Sequence, residues 1–318
     1  MTNIYSNIYQ FNNKSLKTAL KFLKNNNIVG LPTETVYGLA GNAYSNTAVK
    51  KIYKLKKRSR KNPLIIHYYS LKDAEKDISI NNNLRKLYKR FCPGPLTFIV
   101  ERKKNSKIDK ISTAGLRTVA VRFPKHPITR KLLKKLSFPI AMPSANKSKS
   151  ISPISAYDVA DELGKTLKII LNGGRSNIGI ESTVVDIRRK IKILRPGIIS
   201  SRNLRAVLNK KINTVEKTKN ILSPGQQSKH YSPGIPIIMN AKKPPQKYAY
   251  IIFGKKDIKG NNIFNLSKKS NLKEAAKNLY KTFRLIKRKK FKKIFIMKIP
   301  NRDIGIAIND RIKRASNE

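Results

Sequence analysis

A chain of 318 residues, 39% of them apolar, can build one large domain or two smaller ones. Its 70 Lys and Arg against 17 Asp and Glu leave a formal charge of +53, which invites a polyanion partner such as RNA or a nucleotide. The single Cys92 excludes an intramolecular disulfide and a cysteine-built zinc site, and no apolar run approaches the ~20 residues of a membrane span. In chain order, Leu16, Ala19, Leu20 and Leu23 fall on one face of a helix over residues 14–24, followed by a strand in "NIVGLPT" and a Gly-Leu-Ala turn. Ser45 or Asn46 caps a second helix that turns Val49, Ile52 and Tyr53 inward. Strand-like "PLIIHYY", a helix near 82–91, and strands "PLTFIVER" and "TVAVRFP" come next. A basic helix over 127–136 leads to "FPIAMPSAN", a strand running into a polar turn. Ser155 opens a further helix, and "LKIILNGG", "ESTVVDI" and "KIKILRPG" read as strands.

Helices and strands are interleaved with adjacent strand pairs among them, so the spacing predicts an α/β fold with a mixed sheet over residues 1–209. Residues 210–236 lose both periods and are broken repeatedly by Pro and Gly, as a long linker would be. A smaller α/β pattern fills 237–318, with strands "YAYIIF" and "KIFIMKI" and helices near 271–288 and 305–315. No internal repeat is present. The first thirty residues carry no h-region or cleavage site, so a cytoplasmic location and no membrane association are expected.

The charge excess has a plain explanation. Lys, Asn and Ile are abundant together in loops, helices and strand edges alike, and their codons are A/T-rich, so background bias accounts for most of the lysines. The run "KRKKFKK" at 287–293 reads as a solvated helix end before a nucleic-acid patch. His67, His126 and His230 are too scattered to suggest a metal cage.

Five stretches do not look like packing alone. "GLPTETVYGLA" (30–40) sets Thr33 and Thr35 two apart, so that on a strand both hydroxyls share one face. "KKRSRKNPLIIH" (56–67) carries Lys56, Arg58 and Asn62 before His67, and a guanidinium fork with a point charge beside it suits phosphate oxygens. "TVAVRFP" buries Arg122 among apolar residues, where it needs an anionic partner. "AMPSANKSKSISP" places Ser144, Asn146 and Ser152 after a buried strand, at the kind of strand end where α/β proteins bind ligands. In "GIESTVVDI" and "LRPG", Ser182 and Thr183 open a strand and Arg195 closes the next. The sequence has no Walker-A loop, dinucleotide fingerprint, nucleophile elbow or His-Glu-x-x-His. The set suits a small polar ligand and a polyphosphate, with catalysis by proximity and charge stabilisation.

These stretches, in this order, resemble the threonylcarbamoyl-AMP synthase (YrdC-like) family, and "SPGQQSKHYSP" with "IGIAINDRIKRAS" resembles its long two-domain form. The resemblance implies a twisted open sheet with a basic concave cavity, plus a smaller Rossmann-like domain. It implies conversion of L-threonine, bicarbonate or CO2, and ATP with Mg²⁺ into threonylcarbamoyl-AMP and pyrophosphate. The product would pass to the transferase machinery that modifies adenosine 37 of tRNA. By match, Thr35, His67, Arg122, Ser182 and the backbone of Met142 would contact threonine. Arg58, Asn62, Thr118, Ser144, Ser152, Arg195 and Tyr231 would contact ATP, with Lys56 and Arg58 as a phosphate clamp and the 210–236 linker as a lid. Lys57 and Ser59 stand where the family usually has Gly and Pro, and Cys92 stands where Trp commonly precedes "PGPLT". The rivals are a basic RNA-binding module and a relative acting on carbamoyl phosphate. Neither accounts for Thr35, His67 and Ser182 accompanying the forked cations, and no tight, specific nucleic-acid binding is expected.

Overall fold

Small polar residues start most of the helices. Asn12, Ser45, Asn81, Ser155, Ser200 and Asn271 each accept a backbone N–H of the first turn, an arrangement worth about 1 kcal/mol per cap. The computed structural model describes residues 5–215, 223, 230–243, 246–256 and 258–316. The chain opens with β1 (Ile8–Gln10), α1 (Asn13–Lys24), β2 (Val29–Leu31), β3 (Gly38–Asn42), α2 (Asn46–Lys56) and β4 (Ile65–His67). It continues through α3 (Leu71–Ala74), α4 (Asn82–Phe91), β5 (Leu96–Glu101), β6 (Thr118–Arg122), α5 (Pro127–Lys135) and β7 (Ile140–Ala141). Then follow α6 (Ala156–Leu163), β8 (Ile170–Asn172), β9 (Thr183–Asp186), β10 (Lys192–Arg195), α7 (Ser201–Leu208) and β11 (Asn213–Thr214). The remaining elements are β12 (Ile237–Met239), β13 (Ala249–Ile252), β14 (Ile263–Asn265), α8 (Leu272–Arg288), β15 (Ile294–Ile296) and α9 (Ile304–Ser316).

Among the described residues, eleven strands form one mixed sheet in the order β1-β8-β2-β3-β7-β4-β6-β5-β9-β10-β11. β11 carries that sheet to Thr214, past the expected end of the first unit at 209. Four strands form a second sheet, β12-β15-β13-β14, with every pairing parallel. Ala249–Ile252 are buried on both faces, as parallel strands under helices must be. The basic run at 287–293 is the exposed end of α8 and the turn after it.

Two apolar clusters cover opposite faces of the large sheet. One gathers Leu39, Val49, Phe98, Val121 and Phe123; the other packs α1 and α5 through Leu16, Leu23 and Leu132. A third belongs mainly to the second unit, yet it also takes in Val36, Ile151, Ile154 and Ile180 from the first. Complete burial of such side chains contributes about 1.5–3 kcal/mol each, so this shared cluster fastens the two units together.

Several elements depart from the pattern. The "NIVGLPT" strand ends at Leu31, because Pro32 has no N–H to give the ladder. The Gly-Leu-Ala "turn" is the start of β3. Its low strand propensity is overridden by packing: a Cβ at Gly38 would run into Met142, and Gly41 packs closely against Ile52 and Ile28. Lys57, in the family's usual glycine position, caps α2 with φ +49°, a left-handed conformation that explains a preference for glycine there.

Candidate active site

The parallel strands β4 and β6 end side by side, with His67 in register with Arg122, and Thr97 near the start of antiparallel β5 is the other neighbour of Arg122. Ligands of α/β sheets bind at such carboxyl ends. A cleft opens there, lined among others by Thr33, Gly38, Arg58, His67, Arg122, Met142, Ser144, Glu181, Arg195 and His230.

One wall is the 32–37 connection. Thr33 Oγ1 accepts the N–H groups of Thr35 and Val36 at 3.2 Å and donates to the Val36 carbonyl at 2.6 Å. The hydroxyls of Thr33 and Thr35 do meet, 2.8 Å apart. They meet through this tight turn and not as alternate residues of a strand. Arg122 Nη2 donates to Thr35 Oγ1 at 2.8 Å and to Glu34 Oε1 at 2.7 Å, while Glu34 Oε2 accepts the Lys125 N–H at 3.0 Å. Burial alone would raise the Glu34 carboxyl, but the Arg122 guanidinium and these hydrogen bonds hold it below the ordinary carboxylate value. Arg122 Nε is buried with no partner among the described residues. His67 Nδ1 lies 3.1 Å from the Ile65 carbonyl, and burial, then the Arg122 charge, pushes its pKa well down. It is a neutral ring at neutral pH.

The opposite wall is cationic. Arg58 follows the left-handed Lys57 and is fixed by its own loop, donating from Nε to the Asn62 carbonyl at 3.0 Å and from Nη2 to Asn62 Oδ1 at 2.5 Å and the Pro63 carbonyl at 2.8 Å. Asn62 therefore orients Arg58. Lys56 behaves differently from a phosphate clamp: it is 1% exposed, and its Nζ donates to the carbonyls of Ser144 and Asn146. It holds the 144–148 loop, whose Ser148 N–H returns to the Lys56 carbonyl at 2.8 Å. Ser182 Oγ pairs with Thr97 Oγ1 at 2.7 Å and accepts from Arg195 Nη2 at 3.1 Å, and Arg195 Nε donates to the Ser182 carbonyl at 3.1 Å.

Thr35, Arg58, His67, Arg122, Met142, Ser144, Ser182 and Arg195 are thus brought to one place. Ser152 is buried behind the wall, and Tyr231 packs beside His230 with a ring separation of 4.0 Å. Thr118 begins β6, opposite Glu101 and about 13 Å along the strand from Arg122, outside the walls of the cleft. The linker residues 216–222 and 224–229, including Lys229, lie outside the described residues. Pattern reasoning passed over Glu34, Thr97 and Glu181. A carboxylate inside two of the quoted stretches, in a chain with 17 acids against 70 cations, was the available signal.

The fold and the cleft define a two-unit α/β protein with guanidinium and hydroxyl groups gathered at one cleft. A family model described as "Telomere recombination" (Sua5/YciO/YrdC) matches residues 21–197, and one described as "Threonylcarbamoyl-AMP synthase, C-terminal domain" matches 199–317. The threonylcarbamoyl-AMP synthase of Pyrococcus abyssi is 33% identical over 95% of this chain and 94% of its own. That of Bacillus subtilis is 32% identical over 96% and 94%. The crystal structure of P. abyssi Sua5 complexed with L-threonine superposes with a TM-score of 0.88 at 31% identity, covering 97% of this chain and 96% of that one. The chain belongs to the threonylcarbamoyl-AMP synthase family.

Proposed function

We propose that this chain is an L-threonylcarbamoyladenylate synthase whose cleft binds L-threonine and ATP. The observation that carries the reading is Arg122: a buried guanidinium with an unpartnered Nε, between Thr35 and His67, in a chain whose threonine-bound relative shares its fold over nearly the whole length. A carboxylate is the natural partner for the guanidinium donors that Glu34 and Thr35 do not use. Neutral His67 and the Ser182 hydroxyl then offer hydrogen bonds to the amino and hydroxyl groups of threonine.

In this reading the threonine amine attacks CO2, forming a C–N bond and losing a proton to become a carbamate. A carbamate oxygen then attacks the α-phosphorus of ATP. A P–O bond to the α-phosphate forms, the α–β bridging P–O bond breaks, and pyrophosphate leaves with its electron pair. Arg58 and Arg195, which both line the cleft, would neutralise that charge. Lys56 acts through the 144–148 loop it holds. Mg²⁺ would enter bound to the ATP phosphates as part of the substrate. The adenylate would then supply the threonylcarbamoyl group for tRNA position 37. Among the described residues no helix is long and apolar enough to cross a membrane.

The test is incubation of the full chain with Mg-ATP, labelled bicarbonate and L-threonine. Pyrophosphate release that requires threonine, with label in an adenylate, supports the reading. Pyrophosphate release indifferent to threonine overturns it.

A further inference from the structure

Glu181 lines the cleft from the loop before β9, yet its ion-pair partner and a tyrosine hydroxyl bonded to it come from the second unit. Arg311 of α9 donates from Nε to Glu181 Oε2 at 2.8 Å, and the Tyr280 hydroxyl of α8 lies 3.1 and 3.0 Å from the two carboxylate oxygens. Arg311 is wholly buried, and its Nη1 also bonds Asp310 Oδ2 at 2.8 Å. Its guanidinium lies 5.1 Å from the centre of the Tyr231 ring, on which the Tyr280 ring stacks at 6.0 Å. Arg311, Tyr280, Tyr231 and His230 therefore form one packed group behind a single carboxylate of the cleft wall.

The neighbours of Glu181 make this more than a fastening between units. The next residue, Ser182, holds Arg195 by two hydrogen bonds, and Arg195 lines the cleft. On the other side His230 lines the cleft. Arg311 Nη2, Tyr231 Oη and His230 Nδ1 are buried without a hydrogen-bond partner among the described residues. Unpaired buried polar atoms are unfavourable, and three of them around one carboxylate mark a place not organised for packing alone.

We propose that Arg311 is a positioning residue of the active site, which anchors Glu181 and so sets the Ser182–Arg195 wall and the His230–Tyr231 stack for nucleotide binding. The inference rests on the synthase reading above, and it makes the second unit a working part of the site. Burial would raise the Glu181 carboxyl, but Arg311, and then Arg195, hold it at about 2, so the bridge stays ionic across the neutral range.

The test uses the full chain with Arg311→Lys, Arg311→Met and the double change Glu181→Gln with Arg311→Met. The single Arg311→Met leaves a buried carboxylate uncompensated and can unfold the chain. In the double change a neutral side-chain amide replaces the carboxylate and stays within reach of Tyr280. Thermal unfolding, ATP and threonine affinities by calorimetry, and threonine-dependent pyrophosphate release are measured for each. The expected result is a folded double variant with ATP affinity about tenfold weaker and a clearly smaller loss for threonine, which the change reaches only through Ser182, with Arg311→Lys in between. A folded double variant that binds ATP like the parent overturns the proposal and leaves the bridge a fastening between units. Equal loss of threonine and ATP affinity overturns it as well, since it marks general loosening. Should the double variant fail to fold, Arg311→Lys decides: a folded Lys variant with parental ATP affinity refutes the role, and a selective loss supports it. A parent chain that binds ATP but releases no threonine-dependent pyrophosphate defeats the synthase reading alone, because the ATP affinities still report on Arg311. A parent that binds neither ligand defeats both.

Discussion

Glu34 and Arg122 form a 2.7 Å ion pair at the edge of the cleft, and the same Nη2 reaches Thr35 Oγ1 at 2.8 Å while Nε stays unpartnered among the described residues. The chain thus orients the guanidinium through the two hydrogen bonds of Nη2. Arg122→Ala is expected to weaken threonine binding by about 10- to 100-fold, the worth of a charge-assisted hydrogen bond. ATP affinity should change little. The variant should also lose about 3–5 kcal/mol of stability, because Glu34 is left buried and unpaired. Calorimetry with each ligand and urea unfolding measure both.

Lys56 is the second case in which position differs from expectation. Lys56→Met removes the donor from two carbonyls of the 144–148 loop, at about 1–3 kcal/mol for each buried acceptor left unmet. The expected outcome is a less stable chain with weakened ATP binding and little change for threonine. Lys56→Arg should not restore it, since a planar guanidinium does not reproduce the two contacts of a buried ammonium with the Ser144 and Asn146 carbonyls. ATP titrations of the two variants, beside denaturant unfolding, give the comparison.

Gly38→Ala would push a methyl group into Met142, both residues being walls of the cleft. Overpacking of this kind costs about 1–3 kcal/mol. Threonine affinity should fall along with stability. Adding Met142→Ala should recover part of both, which differential scanning calorimetry and ligand titration would reveal.

Acid should destabilise the fold in two stages. Burial lowers the pKa of His67 well below its ordinary 6.5 and that of His230 to about 3. The unfolded chain therefore takes up protons first. The contribution of these rings is complete above 6.5 and is lost as pH falls from there towards their folded values, at about 1.4 kcal/mol per pH unit for each ring. Glu181, held at about 2 against 4.5 unfolded, adds stability that is full above 4.5 and lost as pH falls through about 2. Unfolding free energies between pH 7 and 4 should slope downward, and His230→Gln should flatten that slope. A flat parental profile would rule out this role for the histidines.

RNA should bind weakly and without sequence preference. If the excess lysines supply only phosphate contacts, affinity falls steeply and linearly with salt on logarithmic axes. Filter binding of tRNA and of an unrelated RNA at two salt concentrations is the check. Sequence-selective binding at physiological salt would restore the RNA-binding alternative.

The amino-acid sequence by itself determined the local elements whose period is long or whose caps are explicit. α1, α2 and α6 begin at Asn12, Ser45 and Ser155 because those side chains satisfy first-turn N–H groups wherever the helix ends up. It also carried the five polar stretches, since a hydroxyl or guanidinium next to an apolar strand is conspicuous without coordinates. What only the tertiary structure decided are the pairings between stretches far apart in the chain. β3 forms from Gly-Leu-Ala because Met142 and Ile52 fill the space beside its glycines, which no local propensity contains. Lys56 is a support for the 144–148 loop because that loop folds over α2 and buries its amine. The pairings of Glu34 and Glu181 exist only once the sheet brings Arg122 to one and α9 brings Arg311 to the other, because an ion pair's worth depends on burial and distance.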